Sequence, residues 1–524
     1  MRKILISLTF ISQFISATNY YVSPNGNDNN DGLTVSTSFL TIERSTYAVA
    51  PGDTVFIRNG IYSKTAPESV VAYMSISGTA NNPITFRNYP NENPIIQMNA
   101  TNWVAISISG NDYIVIDGLT IIGNADNITL AYAQSQQLNT SNPATSSNGI
   151  AITSEYNNET NRPHHNIIKN CKVSKCGGGG IYTYNADYTT IENNIVSSCG
   201  WYSPYGNSGI SMYQNWNSDS NNTVFKNFIT GNTCYRNENF IPFFVAGTIT
   251  DGNGIIIDDS RNTQNNSTLG IYLGKTYVAN NLVFDNGARG IHCYESDNVL
   301  IINNTCYQNC KSPATREGEL TAFDASNISF VNNIVSPNTG IPPIAKDNNT
   351  TSNITAFNNL FTSNASLSNP SGTNTITGFA EFVLPSTNAA IADFHLTQDS
   401  FAINTGLITN APIKDKDGIV RLTNNLVDIG CYEYVSALKI NSFDSNSISI
   451  YPNPTKDYFS VRLPVNLESR NIKIEILDLL GRKIKTLFID DESNKINTSD
   501  LTNGTYIIRI ISEETTISRK LIVE

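Results

Sequence analysis

Short runs of apolar residues in alternation, closed by Gly, Asn or Ser, recur through most of this chain. That period of two belongs to half-buried strands rather than to helices. Between about residues 100 and 360 the runs come in two kinds. The first kind reads WVAISIS, NGIAITS, GGIYTYN, SGISMYQ, NGIIIDD, RGIHCYE and GELTAFD. Aligned, these runs place Ile106, Ile150, Ile181, Ile210, Ile255, Ile291 and Leu320 in one column. Two residues later Ile108, Ile152, Thr183, Met212, Ile257, Cys293 and Ala322 form a second. Side chains two apart share a strand face, so the two columns predict one continuous, mostly apolar face.

The second kind reads NIIKNCKV, TTIENNIV, TVFKNFIT, YVANNLVF, LIINNTCY, ISFVNNIV and ITAFNNLF, with Asn170, Asn194, Asn227, Asn281, Asn304, Asn333 and Asn359 in register. A buried Asn is costly unless both ends of its amide are paired. Stacked coils meet that need when each Asn bonds the one above and the one below, whereas surface turns would leave them solvated. Successive Gly-Ile runs lie 44, 31, 29, 45, 36 and 29 residues apart. The short spacings fit one three-stranded coil of a solenoid. The long ones add loops at 123–147, 236–251 and 262–274 that project as walls of a groove. A β-propeller needs four antiparallel strands per repeat, more than these repeats hold. The pattern therefore predicts an all-β chain whose body is a right-handed parallel β-helix.

The ends read differently. Arg2 and Lys3 precede an apolar stretch from Ile4 to Ile15 and a small-residue site at Ile15-Ser16-Ala17, the pattern of a signal peptide over 1–17 and of export through the periplasm. No later run reaches the roughly 18 apolar residues of a membrane span. The β-helix domain is expected over 18–434 and a polar Ser/Asn linker over 435–448. Residues 449–524 carry a separate set of alternating strands, expected as a small antiparallel β-sandwich. Charged residues are 15% of the chain and the formal net charge is -11, with no basic stripe. Nucleic acid is thus not an expected partner, and the chain is expected to be a monomer. Export permits disulfides among the eight cysteines, which lack zinc-finger spacing. Cys176 with Cys199 is a candidate bridge and Cys293 a core residue.

YYVSPNGND, the PGDTV turn, GIY, PITFRNYPNENPII, ADFHLTQDSFAINTG, DKDG and VDIGCYEY resemble segments of extracellular β-helix proteins related to the family nine polysaccharide lyases. The resemblance covers roughly 19–434 and is strongest at its two ends. It implies a pectate-lyase-like solenoid, capped by a short helix over Ile42 to Ala50, and a polysaccharide substrate. In that family the base is a Lys on a strand beginning Gly-Asn-Gly, and Asp residues of preceding coils hold Ca²⁺. Here Gly252-Asn253-Gly254 matches that start, but Ile256 stands where the Lys would be, and NSGISMYQ lacks the paired Asp. The family's catalytic set is not carried over. Tyr451-Pro452-Asn453-Pro454, Leu501 with Gly504-Thr505-Tyr506, and Lys520-Leu521 resemble the type IX secretion sorting domain of Bacteroidetes. That implies the secretion machinery as a partner and a secreted or surface-attached protein. A carbohydrate-binding sandwich is the alternative.

Outward columns of the Gly-Ile strands form the natural binding face, and titratable and aromatic groups gather on the coils of Tyr213, Asp258 and Tyr294. Elimination from a uronate needs a group to neutralise the carboxylate, a base, and an acid for the leaving oxygen. His292 is the candidate base, Tyr294 or Tyr213 the acid, and Arg261 or Arg289 the partner of the carboxylate. Tyr182, Tyr184, Tyr213 and Gln214 are candidate sugar contacts. Asp258, Asp259 and Glu295 support a second reading, a glycoside hydrolase with an acidic pair on adjacent coils. Asp251, Asp258 and Asp259 are candidate Ca²⁺ ligands, although they match no dense calcium loop. A non-catalytic glycan-binding or adhesion protein is the third reading, because fold alone does not select an activity.

Overall fold

A computed structural model describes residues 17–64, 69–347, 351–362, 374–421, 426–435, 449–462, 472–479, 481–489, 495–511 and 516–524. The signal-peptide segment 1–16 and linker residues 436–448 lie outside the described residues. The chain divides into two compact units, Met1–Tyr434 and Val435–Glu524.

In the first unit three parallel sheets of 11, 9 and 11 strands run side by side, and each coil of chain gives one strand to each sheet in turn. Strands adjacent in one sheet are therefore a whole coil apart in sequence, a parallel β-helix. The Gly-Ile strands form the nine-stranded sheet in the register that the alignment predicts. Ile106 pairs with Ile150, then Ile181, Ile210, Ile255, Ile291 and Leu320. All seven are fully buried, as is Cys293 in the second column. Both columns belong to one hydrophobic core along the solenoid axis. The capping helix is a single turn, Ile42–Thr46, shorter than the predicted 42–50. The Thr41 side chain accepts from Arg44 N, and the chain turns at Tyr47. Ile42 closes the core at that end.

The Asn ladder exists with two members reassigned. Asn194, Asn232, Asn281, Asn304, Asn333 and Asn359 follow one another, each backbone N–H and Nδ2 donating to the next Oδ1 at 2.9–3.0 Å. The Asn-Asn dipeptide explains itself here. Its first Asn turns the corner at positive φ, as at Asn280 (56°), Asn303 (53°) and Asn332 (53°), a conformation Asn tolerates better than most residues. Its second Asn points inward. Asn170 is such a corner residue (φ 55°), and its exposed side chain reaches Asp117. The next residue, Cys171, takes the ladder position and donates from its N–H to Asn194. Asn227 lies within strand Phe225–Thr230 and pairs with Thr189 and Tyr272. The Gly231-Asn232 corner supplies the true rung.

A second ladder, unforeseen, runs up another corner from Asn237 through Asn286 to Asn309 and ends on Glu319. Glu319 is fully buried, and burial pushes its carboxyl up to about 8. Cys176 and Cys199, at neighbouring corners, are free thiols, as are the other six cysteines. Loops 236–251 and 262–274 border the same face of the nine-stranded sheet. Loop 123–147 instead folds into the short helices Leu130–Ser135 and Pro143–Ser146.

Among the described residues the second unit holds two antiparallel sheets. One consists of Ser449–Tyr451, Tyr458–Arg462 and Lys495–Asn497, the other of Lys483–Ile489, Ile472–Leu477, Gly504–Ile511 and Thr516–Val523. They share a core around Phe459, Ile474 and Ile508. Among the described residues no helix is long and apolar enough to cross a membrane.

Two outcomes follow for stability. Asn281→Ala strands the amide of Asn232 and the carbonyl of Ile229, and should cost about 2–4 kcal/mol in denaturant unfolding. Asn170→Ala should cost less, about 1 kcal/mol, because the left-handed φ of this corner suits Ala less well than Asn. Glu319 supplies a pH signature. Its folded value near 8 exceeds the ordinary carboxylate value, so between the two the folded protein holds one more proton than the unfolded chain. Unfolding free energy must therefore fall as pH rises through that window. Glu319→Gln removes the titration, and the variant should gain on the wild type from pH 5 to pH 9; a constant difference would contradict the buried carboxyl.

Candidate active site

Three neighbouring strands, Ile255–Asp258, Ile291–Tyr294 and Leu320–Phe323, floor a cavity of about 450 Å³. Period-two alternation turns Ile255 and Ile257 into the core, so Ile256 and Asp258 face outward. Register then sets Ile256 beside His292 and Thr321, and Tyr213 beside Asp258, Tyr294 and Phe323. Loop 236–251 gives one wall through Phe243, Ala246 and Thr248 to Asp251. A second wall comes from Ala314, Thr315 and Glu317, and Gln264 with Glu295 closes a third side.

His292 is 4% exposed, and its Nδ1 lies 2.6 Å from Thr321 Oγ1. Burial and the nearby Arg289 guanidinium hold its imidazole well below the usual range, so the neutral ring persists. With the proton on Nδ1, shared with Thr321, Nε2 carries the free lone pair. Arg289 lies three residues earlier and is also buried. Its Nη1 donates to the Thr250 carbonyl at 2.5 Å, its Nη2 lies 3.0 Å from Glu317 Oε2, and its buried Nε has no protein partner. Tyr294 is 37% exposed, with its ring 5.9 Å from that of His292. Partial burial, then the neighbouring Glu295 carboxylate, raise its phenol, which keeps the hydroxyl protonated.

Asp258 is held well above the usual carboxylate range by burial first, then by Asp251, Asp259 and Glu295. Gln264 Nε2 donates both to Asp258 Oδ1 at 3.1 Å and to Glu295 Oε2 at 3.0 Å. One amide thus ties together carboxyls from adjacent coils.

Several expected site residues lie elsewhere. Asp259 is fully buried at the strand end (φ 46°). Its oxygens accept from Thr263 N, Thr263 Oγ1, Gln264 N and Gln214 Nε2. Asp259 and Gln214 therefore fasten the 263–264 loop and do not face the cavity. Arg261 is committed to Asp297 and Asp324. Tyr213 stacks on Tyr184 at 5.6 Å, and its hydroxyl accepts from Asn265. Tyr182 neighbours Ser211 on the coils below the cavity and does not line it. Of the calcium candidates, Asp251 and Asp258 line the cavity and Asp259 does not. Among the described residues no three His, Cys, Asp or Glu converge as metal ligands. Gln264, Glu317 and Thr250 join the site from loops, where alternation gives no warning of them.

Residues 20–327 match a family profile described as the Pel9A-like, right handed beta helix region, and residues 449–524 match a secretion system C-terminal sorting domain. An uncharacterized protein, YwoF, of Bacillus subtilis (strain 168) is 41% identical over 106 residues, 19% of this chain and 21% of the relative. Pectate lyase L of Thermoclostridium stercorarium is 25% identical over 321 residues, 56% of this chain and 22% of the relative. The chain thus spans about a fifth of each curated relative's length. The crystal structure of pectate lyase Pel9A is similar at 17% identity and a TM-score of 0.45, covering 80% of this chain and 98% of that one.

Proposed function

We propose that this chain, which belongs to the Pel9A-like right-handed β-helix family, is an enzyme that cleaves an acidic polysaccharide by β-elimination in the His292 cavity. Its C-terminal unit is a type IX secretion sorting domain, which places the protein outside the cell or on its surface. The observation that carries the reading is a neutral, buried imidazole beside a buried guanidinium at the floor of one cavity, with a protonated phenol two residues on.

Each group has one task. Arg289 receives the uronate carboxylate, assisted by the neutral carboxyl of Asp258, and so stabilises charge that spreads onto it as the adjacent carbon loses its proton. His292 Nε2 takes that proton. The electron pair forms the carbon–carbon double bond and expels the glycosidic oxygen, which takes a proton from the Tyr294 hydroxyl. Ile256 occupies the position of the family's Lys, so the base comes from the neighbouring coil.

A second reading, hydrolysis, is favoured by one observation. Asp258, held protonated, is tied through Gln264 to Glu295, an acid beside a carboxylate.

Incubating the full chain with pectate, alginate and glucuronan should generate an ultraviolet-absorbing unsaturated end. Reducing sugar without that absorbance would support hydrolysis instead, and binding with neither product would support adhesion. His292→Ala should lower kcat/KM by roughly 10²–10⁴-fold, and Tyr294→Phe should lower kcat with the melting temperature preserved. Because His292 stays neutral as pH falls, the acid limb of kcat/KM should lie below the ordinary histidine value of about 6.5; a limb at or above it would contradict His292 as the base.

A further inference from the structure

The cavity carries an electrostatic problem. Four carboxyl groups line it, those of Asp251, Asp258, Glu295 and Glu317, against the single guanidinium of Arg289. A polyanion added to this set would meet net repulsion, even with Asp258 neutral. One carboxylate has to leave when an acidic sugar enters, and the four are not equally free to go. Asp251 accepts from Thr250 Oγ1 and Asn253 Nδ2. Asp258 and Glu295 share the Gln264 amide, and Glu295 also accepts from Thr263. Glu317 differs: its side chain is 43% exposed, it lies on the segment between the Tyr307 and Leu320 strands, and its partner is Arg289.

From this contrast, and resting on the acidic-polysaccharide reading above, we infer that Glu317 is a built-in stand-in for the substrate carboxylate, occupying Arg289 in the free protein and swinging out when a uronate binds. The exchange conserves charge. Arg289 is too deeply buried to be left unpaired, so a resident carboxylate stabilises the empty site and a ligand carboxylate replaces it. The Nη1 bond to the Thr250 carbonyl and the packing of the guanidinium 5.8 Å from the Phe323 ring hold Arg289 in place through the exchange. Glu317 thereby sets both affinity and charge selectivity. A neutral sugar forms no ion pair with Arg289 and so leaves Glu317 in place, whereas an acidic sugar exchanges one pair for another.

The test is calorimetric titration of the full-length wild type, Glu317→Ala and Glu317→Gln with tetramers of galacturonate, mannuronate, guluronate and glucuronate, each beside its methyl ester. Removing the competitor should tighten binding of at least one acidic tetramer about tenfold, roughly 1.4 kcal/mol, and leave its methyl ester unchanged. In an Arg289→Gln background the Glu317 effect should vanish, as a double-mutant cycle requires of a direct pair. Acidic tetramers bound equally or more weakly by the Glu317 variants, or an equal gain for the esters, would overturn the stand-in role while leaving β-elimination standing. Tighter acidic binding with no unsaturated product from any protein would uphold the stand-in and overturn β-elimination. No binding of any acidic tetramer by wild type or variants would overturn both.

Discussion

Everything in the larger unit depends on coils stacking in register with no polar group left unpaired at the corners. In a parallel solenoid each strand bonds only the coil above and the coil below, and the inward-pointing asparagines at the corners are fully buried. The two amide ladders meet that constraint. One joins six asparagines, and the other joins three and ends on Glu319. Corner residues at positive φ let the chain bend sharply enough to present the next side chain inward. With the corners satisfied, the isoleucine columns superpose and the outward columns superpose with them.

Function follows from that superposition. Residues 36 positions apart in sequence, such as Ile256 and His292, become lateral neighbours about 4.8 Å apart. A reactive group can therefore move by one coil without disturbing the fold. An apolar side chain stands where the family's resemblance places a Lys, and an imidazole faces the cavity from the next coil. Loops inserted between coils then decide how deep the face is. Here segment 236–251 and the residues around Glu317 wall an open sheet face into a cavity.

The features legible in the sequence are those with a strict period. Both apolar columns and the outward neighbours of Asp258 and His292 come straight from alternation, and the coordinates place them accordingly. The misassignments share a cause. Asn170 is the corner itself, where a one-residue ambiguity moves a side chain from inside to outside. Asn227 sits in a strand whose pairing shifts register between Phe225 and Asn227, before the Gly231-Asn232 corner. Asp259 and Arg261 also follow a strand end, beyond the reach of alternation. Asp259 turns under the loop because its backbone takes a positive φ, and Arg261 finds Asp297 and Asp324 on later coils. The contributions of Gln264 and Glu317 come from loops, whose paths follow from contacts made after the coils have stacked.

The central claim is that the cavity over Ile256 and His292 receives an acidic sugar. A crystal structure of the full chain with His292→Ala and a bound uronate tetramer tests it most directly. The account predicts a sugar carboxylate on the Arg289 guanidinium, with the glycosidic oxygen toward Tyr294 and Glu317 turned to solvent. A tetramer seated elsewhere on the solenoid, with Arg289 and Glu317 still paired, would contradict it.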